Sequence, residues 1–190
     1  GKVSVCSVSI PLGAPVPSLP PVKNFIDQHV FANLQQIGVP PSPLCDDSTF
    51  LRRISLDIGG RLPTMEETRT FLTSKAPDKR EQAIEALLNS PDYADYFANK
   101  WTSLLKNQRA ENADITANFA FHAWMRDSLL ANTKYDQIVR QILASTGTIV
   151  SNPPVAWYKR VKEPTTQLAD VAQLFLGVRM QRAQCHHHHF

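Results

Sequence analysis

The sequence predicts an all-α fold, an irregular multi-helix bundle of about eight helices that begins near Val22. Two observations predict it. After Val22, apolar side chains recur every three or four residues through most of the chain, which is the spacing of one face of an α-helix. Between these stretches stand residues that begin or end helices, namely capping side chains, proline in a first turn and glycine just beyond a last turn.

The first 21 residues differ from the rest of the chain. They open with a short strand-like run of apolar residues, Val3, Val5, Val8 and Ile10. The stretch GAPVPSLPP that follows cannot propagate a helix, so it is interpreted as an extended linker. We therefore predict that residues 1–21 are the end of a preceding β domain with a linker, and that residues 22–190 form the helical domain.

The first two predicted helices are bounded by glycine. The first ends at Gly38, which can form a left-handed cap, and its apolar stripe consists of Ile26, Val30, Leu34 and Ile37. The second begins at Asp46 or Asp47 and stops at Gly59-Gly60. Its apolar residues are Phe50, Leu51, Ile54 and Ile58.

The next three helices begin at recognisable signals. Thr64 and Glu67 have the spacing of a capping box, which predicts a short helix to Thr73. Pro77-Asp78 begins a fourth helix, whose inward residues are Ile84, Leu87 and Leu88. Ser90-Pro91 begins a fifth, and its apolar face consists of Tyr93, Phe97, Trp101 and Leu104.

The last three helices lie on either side of the longest irregular loop. A sixth helix carries Phe121, Trp124 and Leu129, and Thr133 caps a seventh that carries Ile138, Val139, Ile142 and Leu143. Pro153-Pro154 predicts an extended path, without helix, for residues 147–163. The eighth helix begins at about Pro164 and closes at Gly177, and its apolar residues are Leu168, Val171, Ala172 and Phe175.

Composition and motifs exclude several classes of function. The net charge is only +3 and the basic residues are dispersed, so no nucleic-acid surface is predicted. No apolar run approaches the roughly 20 residues of a membrane-spanning helix. The chain has neither a P-loop nor a G-x-S-x-G turn, so it is not predicted to be an enzyme by itself.

The histidine and aromatic residues inside the predicted helices are predicted to have structural roles and not to bind a ligand. His29 and His122 are each placed within a helix, where such residues mostly lie at the surface or its boundary. The aromatic residues could stack a sugar or a base, but their helical spacing favours core packing. This set consists of Tyr93, Phe97, Trp101, Phe121 and Trp124.

The C-terminal stretch RAQCHHHHF is the main candidate site. Cys185-His186 forms the second half of a C-x-x-C-H haem motif, but Arg182 occupies the first cysteine position, so only one thioether could form. Alternatively, Cys185 and residues such as His186 and His188 offer the sulfur and imidazole ligands that suit zinc or copper. A third interpretation is an expression tag or a sequence error. The residues alone leave these alternatives open.

Three stretches carry a family resemblance: NFIDQHVFANLQQIGVPPSPLCDDSTFLRRISLDIGGRLPTMEETRTFL, SPDYADYFANKWTSLLKN, and LLANTKYDQIVRQILASTGT with NPPVAWYKR. They resemble the cytochrome-associated domain of unknown function found in large secreted proteins of planctomycetes and related bacteria, over about residues 22–190. The family motif RRxxLDxxGxLPTxEE matches Arg52, Arg53, Leu56, Asp57, Gly60, Leu62, Pro63, Thr64, Glu66 and Glu67. Its closing motif CAxCHxHPF matches Cys185, His186, His188 and Phe190, while Arg182 and His189 depart from it.

The resemblance implies a set of neighbouring domains, a cofactor and a cellular location. It implies a preceding immunoglobulin-like or cytochrome c domain, a helical domain cut at its C-terminus, and a periplasmic, extracellular or cell-surface location. The implied function is haem c or transition-metal binding in a redox role. Cys185 would then be the anchoring thiol, His186 the axial ligand and His188 a further ligand. The partners would be neighbouring domains of the same polypeptide and a redox partner. The alternative is a non-catalytic helical interaction or structural module with a degenerate haem motif.

Overall fold

Helices make up the secondary structure in the computed structural model, which describes residues 8, 10, 13, 15, 16, 18–108, 115–159 and 161–180. Eight α-helices and one 3-10 helix occur in these ranges: α1 (Phe25–Ile37), α2 (Asp47–Gly59), α3 (Met65–Thr73), α4 (Lys79–Leu88), α5 (Pro91–Leu104), α6 (Ile115–Leu130), α7 (Tyr135–Leu143), the 3-10 helix η1 (Pro153–Lys159) and α8 (Pro164–Leu176). None of the described residues forms a strand, so the all-α prediction is confirmed for that part of the chain. Val3 and Val5 of the strand-like run lie outside it, and the predicted domain boundary after residue 21 stays a prediction.

The chain divides into two compact units, and α1 belongs to the first of them, which runs to Asp46. The side chain of Asn24 accepts hydrogen bonds from the amides of Ile26 and Asp27, at 2.9 and 3.2 Å. The carboxylate of Asp27 accepts in return from the amide of Asn24, which completes a capping box. The predicted end at Gly38 is confirmed, because this residue adopts the left-handed conformation with φ of 68°.

The second unit, from Asp47 onward, contains α2 to α8 and the main core. Helices α5 and α6 form the most extensive helix pair, and η1 packs against α6 and α7. The buried cluster at their junction consists of Ala98, Leu105, Ala117, Phe121, Met125, Ile142, Ala156, Trp157 and Val161. Burial of these side chains is the principal favourable contribution to the stability of this unit.

The predicted extended path through residues 147–163 is wrong. Residues Pro153–Lys159 form a 3-10 helix that buries Pro154, Ala156 and Trp157. Proline fixes φ near the value that a 3-10 helix uses, and a residue in the first turn needs no amide donor. The first turn closes because the amide of Val155 donates to the carbonyl of Asn152 at 3.1 Å.

Two further predictions about the helices need correction. The N-cap of α7 is Lys134, not Thr133, and its side chain makes no capping hydrogen bond. The buried face of α5 consists of Ala94, Ala98 and Thr102, whereas Leu104 of the predicted face is exposed. Small side chains lie on the buried face because they let α6 approach the α5 backbone closely, and the larger aromatic residues pack at the edges of this contact.

Candidate functional site

The predicted cofactor ligands Cys185, His186 and His188 lie outside the described residues, so their role stays a prediction. Within residues 18–108, 115–159 and 161–180, no three side chains of His, Cys, Asp or Glu come together in a way that could hold a metal ion.

The segment that follows α2 forms a network of ion pairs around Arg61. Its guanidinium donates two hydrogen bonds to Glu67, from Nη1 to Oε2 at 2.8 Å and from Nη2 to Oε1 at 2.7 Å. Its Nε donates to Oδ2 of Asp92 at 2.6 Å. Glu67 lies on α3 and Asp92 in the first turn of α5, so Arg61 connects the end of α2 to both helices. Two-point pairing of this kind is the strongest that arginine makes with a carboxylate.

The same carboxylate completes the predicted capping box, which is confirmed. The amide of Thr64 donates to Oε2 of Glu67 at 2.6 Å, and the amide of Glu67 donates to Oγ1 of Thr64 at 3.1 Å. The hydrogen bonds from Arg61, helped by those from Thr64 and opposed by burial, lower the pKa of Glu67 from 4.5 to about 2. The two carboxylates in turn raise the pKa of Arg61. These charges are therefore held in their ionised forms by one another.

The remaining charged residues of the motif face outward. Arg52, Arg53 and Asp57 are exposed on α2. Trp101 on α5 lines a separate cavity of about 450 Å³, where its ring centroid lies 6.0 Å from that of Tyr135. The stretch from Arg52 to Glu67 thus divides into an internally paired part and an exposed face of α2.

A pocket of about 420 Å³ lies among α2, α3 and α4, next to this network. Leu51, Phe71 and Leu87 provide its buried apolar lining. Lys79 on its rim is engaged by protein groups, because Nζ lies 2.6 Å from Oδ2 of Asp47 and 3.1 Å from the carbonyl oxygen of Ser74. Hydrogen bonds from Lys79 and Arg80 lower the pKa of Asp47. The cations at this pocket are therefore bound to the protein itself.

A second pocket, of about 590 Å³, has a different chemistry, and we call it the amide cleft. It lies between α5, the turn after α5, and α6. Its lining residues are Asn99, Thr102, Asn107, Ile115, Asn118, Phe119 and His122. Nε2 of His122 lies 3.0 Å from Oδ1 of Asn99. Nδ2 of Asn107 donates a hydrogen bond to the main-chain carbonyl oxygen of Asn118 at 3.1 Å.

Sequence reasoning missed the amide cleft. The sequence predicts a surface or boundary position for His122 and indicates no role for Asn99, Asn107 and Asn118. The only signal was local: Asn118, Phe119 and His122 have the spacing of one turn of a helix. Asn99 and Asn107 join them through the packing of α5 against α6, which the sequence does not specify.

Comparison with known proteins identifies a family. The model of the family described as PSCyt2, protein of unknown function (DUF1549), matches residues 25–190. No curated protein matches the chain. No solved structure matches it either. Among the residues that the structure describes, no helix has both the length and the apolar character that crossing a membrane requires.

Proposed function

This chain belongs to the PSCyt2 family of proteins of unknown function, and we propose that it serves as a non-catalytic helical interaction module. The observation that carries the proposal is the mutual pairing of Arg61, Glu67 and Asp92. Strongly shifted pKa values often mark catalytic sites, but ion pairs that support a fold produce the same shifts. Here each shift has its cause within the network, which supports a stabilising role for the motif.

The proposed setting is a larger exported polypeptide of planctomycetes or related bacteria, located in the periplasm, outside the cell or at its surface. The resemblance of the chain to a domain of secreted proteins supports this location. The partners would then be neighbouring domains of the same polypeptide. The helical unit would present binding surfaces, and its ion pairs would fix the geometry of α2, α3 and α5.

A second candidate function is haem or transition-metal binding in a redox role. The specific observation that favours it is the order Cys185, His186, His188 in the closing motif. In this proposal the Cys185 thiol anchors haem c by one thioether or serves as a metal ligand. His186 is the axial ligand, and His188 is a further ligand. A bound haem would supply one-electron chemistry and would require a redox partner.

One experiment distinguishes the two candidates. The chain is produced with and without periplasmic haem-attachment machinery, and its absorbance, metal content and melting temperature are measured. For the interaction module we expect no Soret band, no stoichiometric metal, and a melting temperature that neither chelator nor haem changes.

The variants Cys185→Ser and His186→Ala provide the control. A Soret band that Cys185→Ser removes would establish the second candidate in its haem form. A bound metal that either substitution removes would establish it in its metal form. Either outcome would contradict a module without a cofactor.

A further inference from the structure

We propose that the amide cleft binds a neutral glycan, through hydrogen bonds from Asn99, Asn107, Asn118 and His122 and stacking on Phe119. This inference rests on the proposed function as an interaction module and names the class of ligand that the module would take. At about 590 Å³, the cleft falls within the range of about 300–1,000 Å³ typical of small-ligand sites.

The charge of the cleft favours a neutral ligand. Among the described residues, its lining contains three side-chain amides, one hydroxyl and one imidazole, and no lysine, arginine or carboxylate. Among these described lining residues, a phosphate or carboxylate ligand would find no fixed cation, and a cationic ligand would find no fixed anion. Sugar hydroxyls both donate and accept hydrogen bonds, and a side-chain amide offers both kinds of partner.

The side chains of Asn99, Asn107 and His122 are held in place while part of the bonding capacity of the two asparagines stays available. The contact between His122 and Asn99 uses Oδ1 of Asn99, and the bond from Asn107 to the Asn118 carbonyl uses Nδ2 of Asn107. Within the described ranges, no hydrogen bond uses Nδ2 of Asn99, Oδ1 of Asn107 or the side-chain amide of Asn118. Side chains fixed before binding lose less conformational entropy when a ligand arrives.

Phe119 supplies the apolar part of the site. It is 73% exposed although it follows Asn118 on the well-packed helix α6, and Ile115 lies one turn before it. The ring of a sugar presents an apolar C–H face, and an exposed aromatic ring beside convergent polar groups can cover that face. A single exposed aromatic residue is ordinary on a protein surface, so the argument rests on its place in the cleft.

A peptide is the main competing ligand, and the cleft fits it less well. Peptides are commonly recognised by main-chain pairing at an exposed strand edge, or by side-chain anchors in an apolar groove. The amide cleft is formed by helices and a turn, and the apolar residues of its described lining are Ile115 and Phe119. Mixed hydrogen-bonding groups around one aromatic ring suit a ligand with many hydroxyls better than either peptide mode.

The test is affinity electrophoresis of the full chain in native gels containing dextran, β-1,3-glucan, xylan or galactomannan. We expect at least one polysaccharide to retard the chain. The variant Phe119→Ala should weaken that binding about tenfold, and Asn118→Ala should weaken it as well. The matched control is Phe25→Ala, because Phe25 is 71% exposed but lies on α1, outside the cleft. Circular dichroism melting checks that each variant folds.

The proposal would be overturned if none of the four polysaccharides retarded the chain, or if Phe119→Ala and Phe25→Ala weakened binding equally. Binding of carboxymethylated casein is the competing outcome. If Phe119→Ala abolished that binding and polysaccharide did not compete with it, the cleft would be assigned to a peptide, and the glycan proposal would be overturned. Any of these results would refute the glycan proposal. If chelator and haem also left the melting temperature unchanged, the proposed function as an interaction module would not be contradicted.

Discussion

The ring of Tyr96 on α5 lies directly against the backbone of Gly60, the residue that follows α2. A Cβ atom at position 60 would come within 2.3 Å of Cδ2 of Tyr96. Gly60 also has a φ of 69°, a conformation that side-chain-bearing residues rarely adopt. Position 60 of this chain therefore favours glycine for two separate reasons, a close approach and a left-handed backbone.

We expect Gly60→Ala to lower the free energy of unfolding by about 2–4 kcal/mol, from backbone strain and overpacking together. Gly177→Ala is the matched control for strain alone, because Gly177 has a φ of 68° and, apart from its chain neighbours, no atom of the described residues lies within 4 Å of the added Cβ position. Urea denaturation measures both. Adding Tyr96→Ala to Gly60→Ala should restore part of the loss, and equal losses for the two glycine variants would refute the close approach.

Arg61→Met should destabilise the chain by about 1–2 kcal/mol, because it leaves Glu67 and Asp92 half-buried without their shared cation. Arg53→Met serves as the control, since Arg53 belongs to the same motif but is exposed. Its effect should stay within about 0.5 kcal/mol. If thermal denaturation showed the same loss of stability for both variants, the ion pairs of Arg61 with Glu67 and Asp92 would not stabilise the fold.

The Glu67 carboxylate should make stability depend on pH in the acid range. Its pKa is about 2 in the folded chain and 4.5 ordinarily, so the unfolded chain takes up the proton more readily. The contribution of the ionised form is present in full above 4.5 and is lost as the pH falls toward about 2. Because the pair is partly exposed, we expect this loss to be about 1 kcal/mol.

Glu67→Gln removes that pH dependence, so its stability should approach that of the unmodified chain as the pH falls through this interval. Chemical denaturation at a series of pH values measures the difference. Glu66→Gln, one residue earlier and exposed, is the control and should retain the acid-range slope. A slope that persists in Glu67→Gln would show that other groups cause it.

Lys106→Met should cost about 2 kcal/mol, because Asp170 is buried and Lys106 Nζ lies 2.6 Å from its Oδ2. Lys75→Met, at an exposed position, should have little effect. The double variant Lys106→Met with Asp170→Leu should be more stable than Lys106→Met alone, since no buried carboxylate then lacks a cation. If the two substitutions lowered the free energy of unfolding additively in a double-mutant cycle, the ion pair between Lys106 and Asp170 would not contribute to stability.

Features set by neighbouring residues could be predicted from the sequence. Gly38 closes α1, the Thr64 and Glu67 box begins α3, and Ser90 with Pro91 begins α5, as their spacing indicates. Each depends on atoms within one helical turn, so the local sequence contains the whole cause.

Features set by tertiary contact could not be predicted. Arg61 and Asp92 are 31 positions apart, and Arg61 occupies an unspecified position of the motif. The asparagines of the amide cleft meet only because α5 packs against α6. The burial of η1 is a third example: Pro153-Pro154 excludes an α-helix, but the fixed φ of proline suits a 3-10 turn, which is stabilised here by packing against α6 and α7.

The late position of Trp157 and Val161 in the chain has a consequence for synthesis. Both belong to the same buried cluster as Ala98 on α5. A growing polypeptide emerges from the ribosome N-terminus first, so α5 and α6 are complete long before the side chains that cover their contact. Until then their apolar surface is open to chaperones or to neighbouring nascent chains, and a fragment ending before η1 would be prone to aggregate.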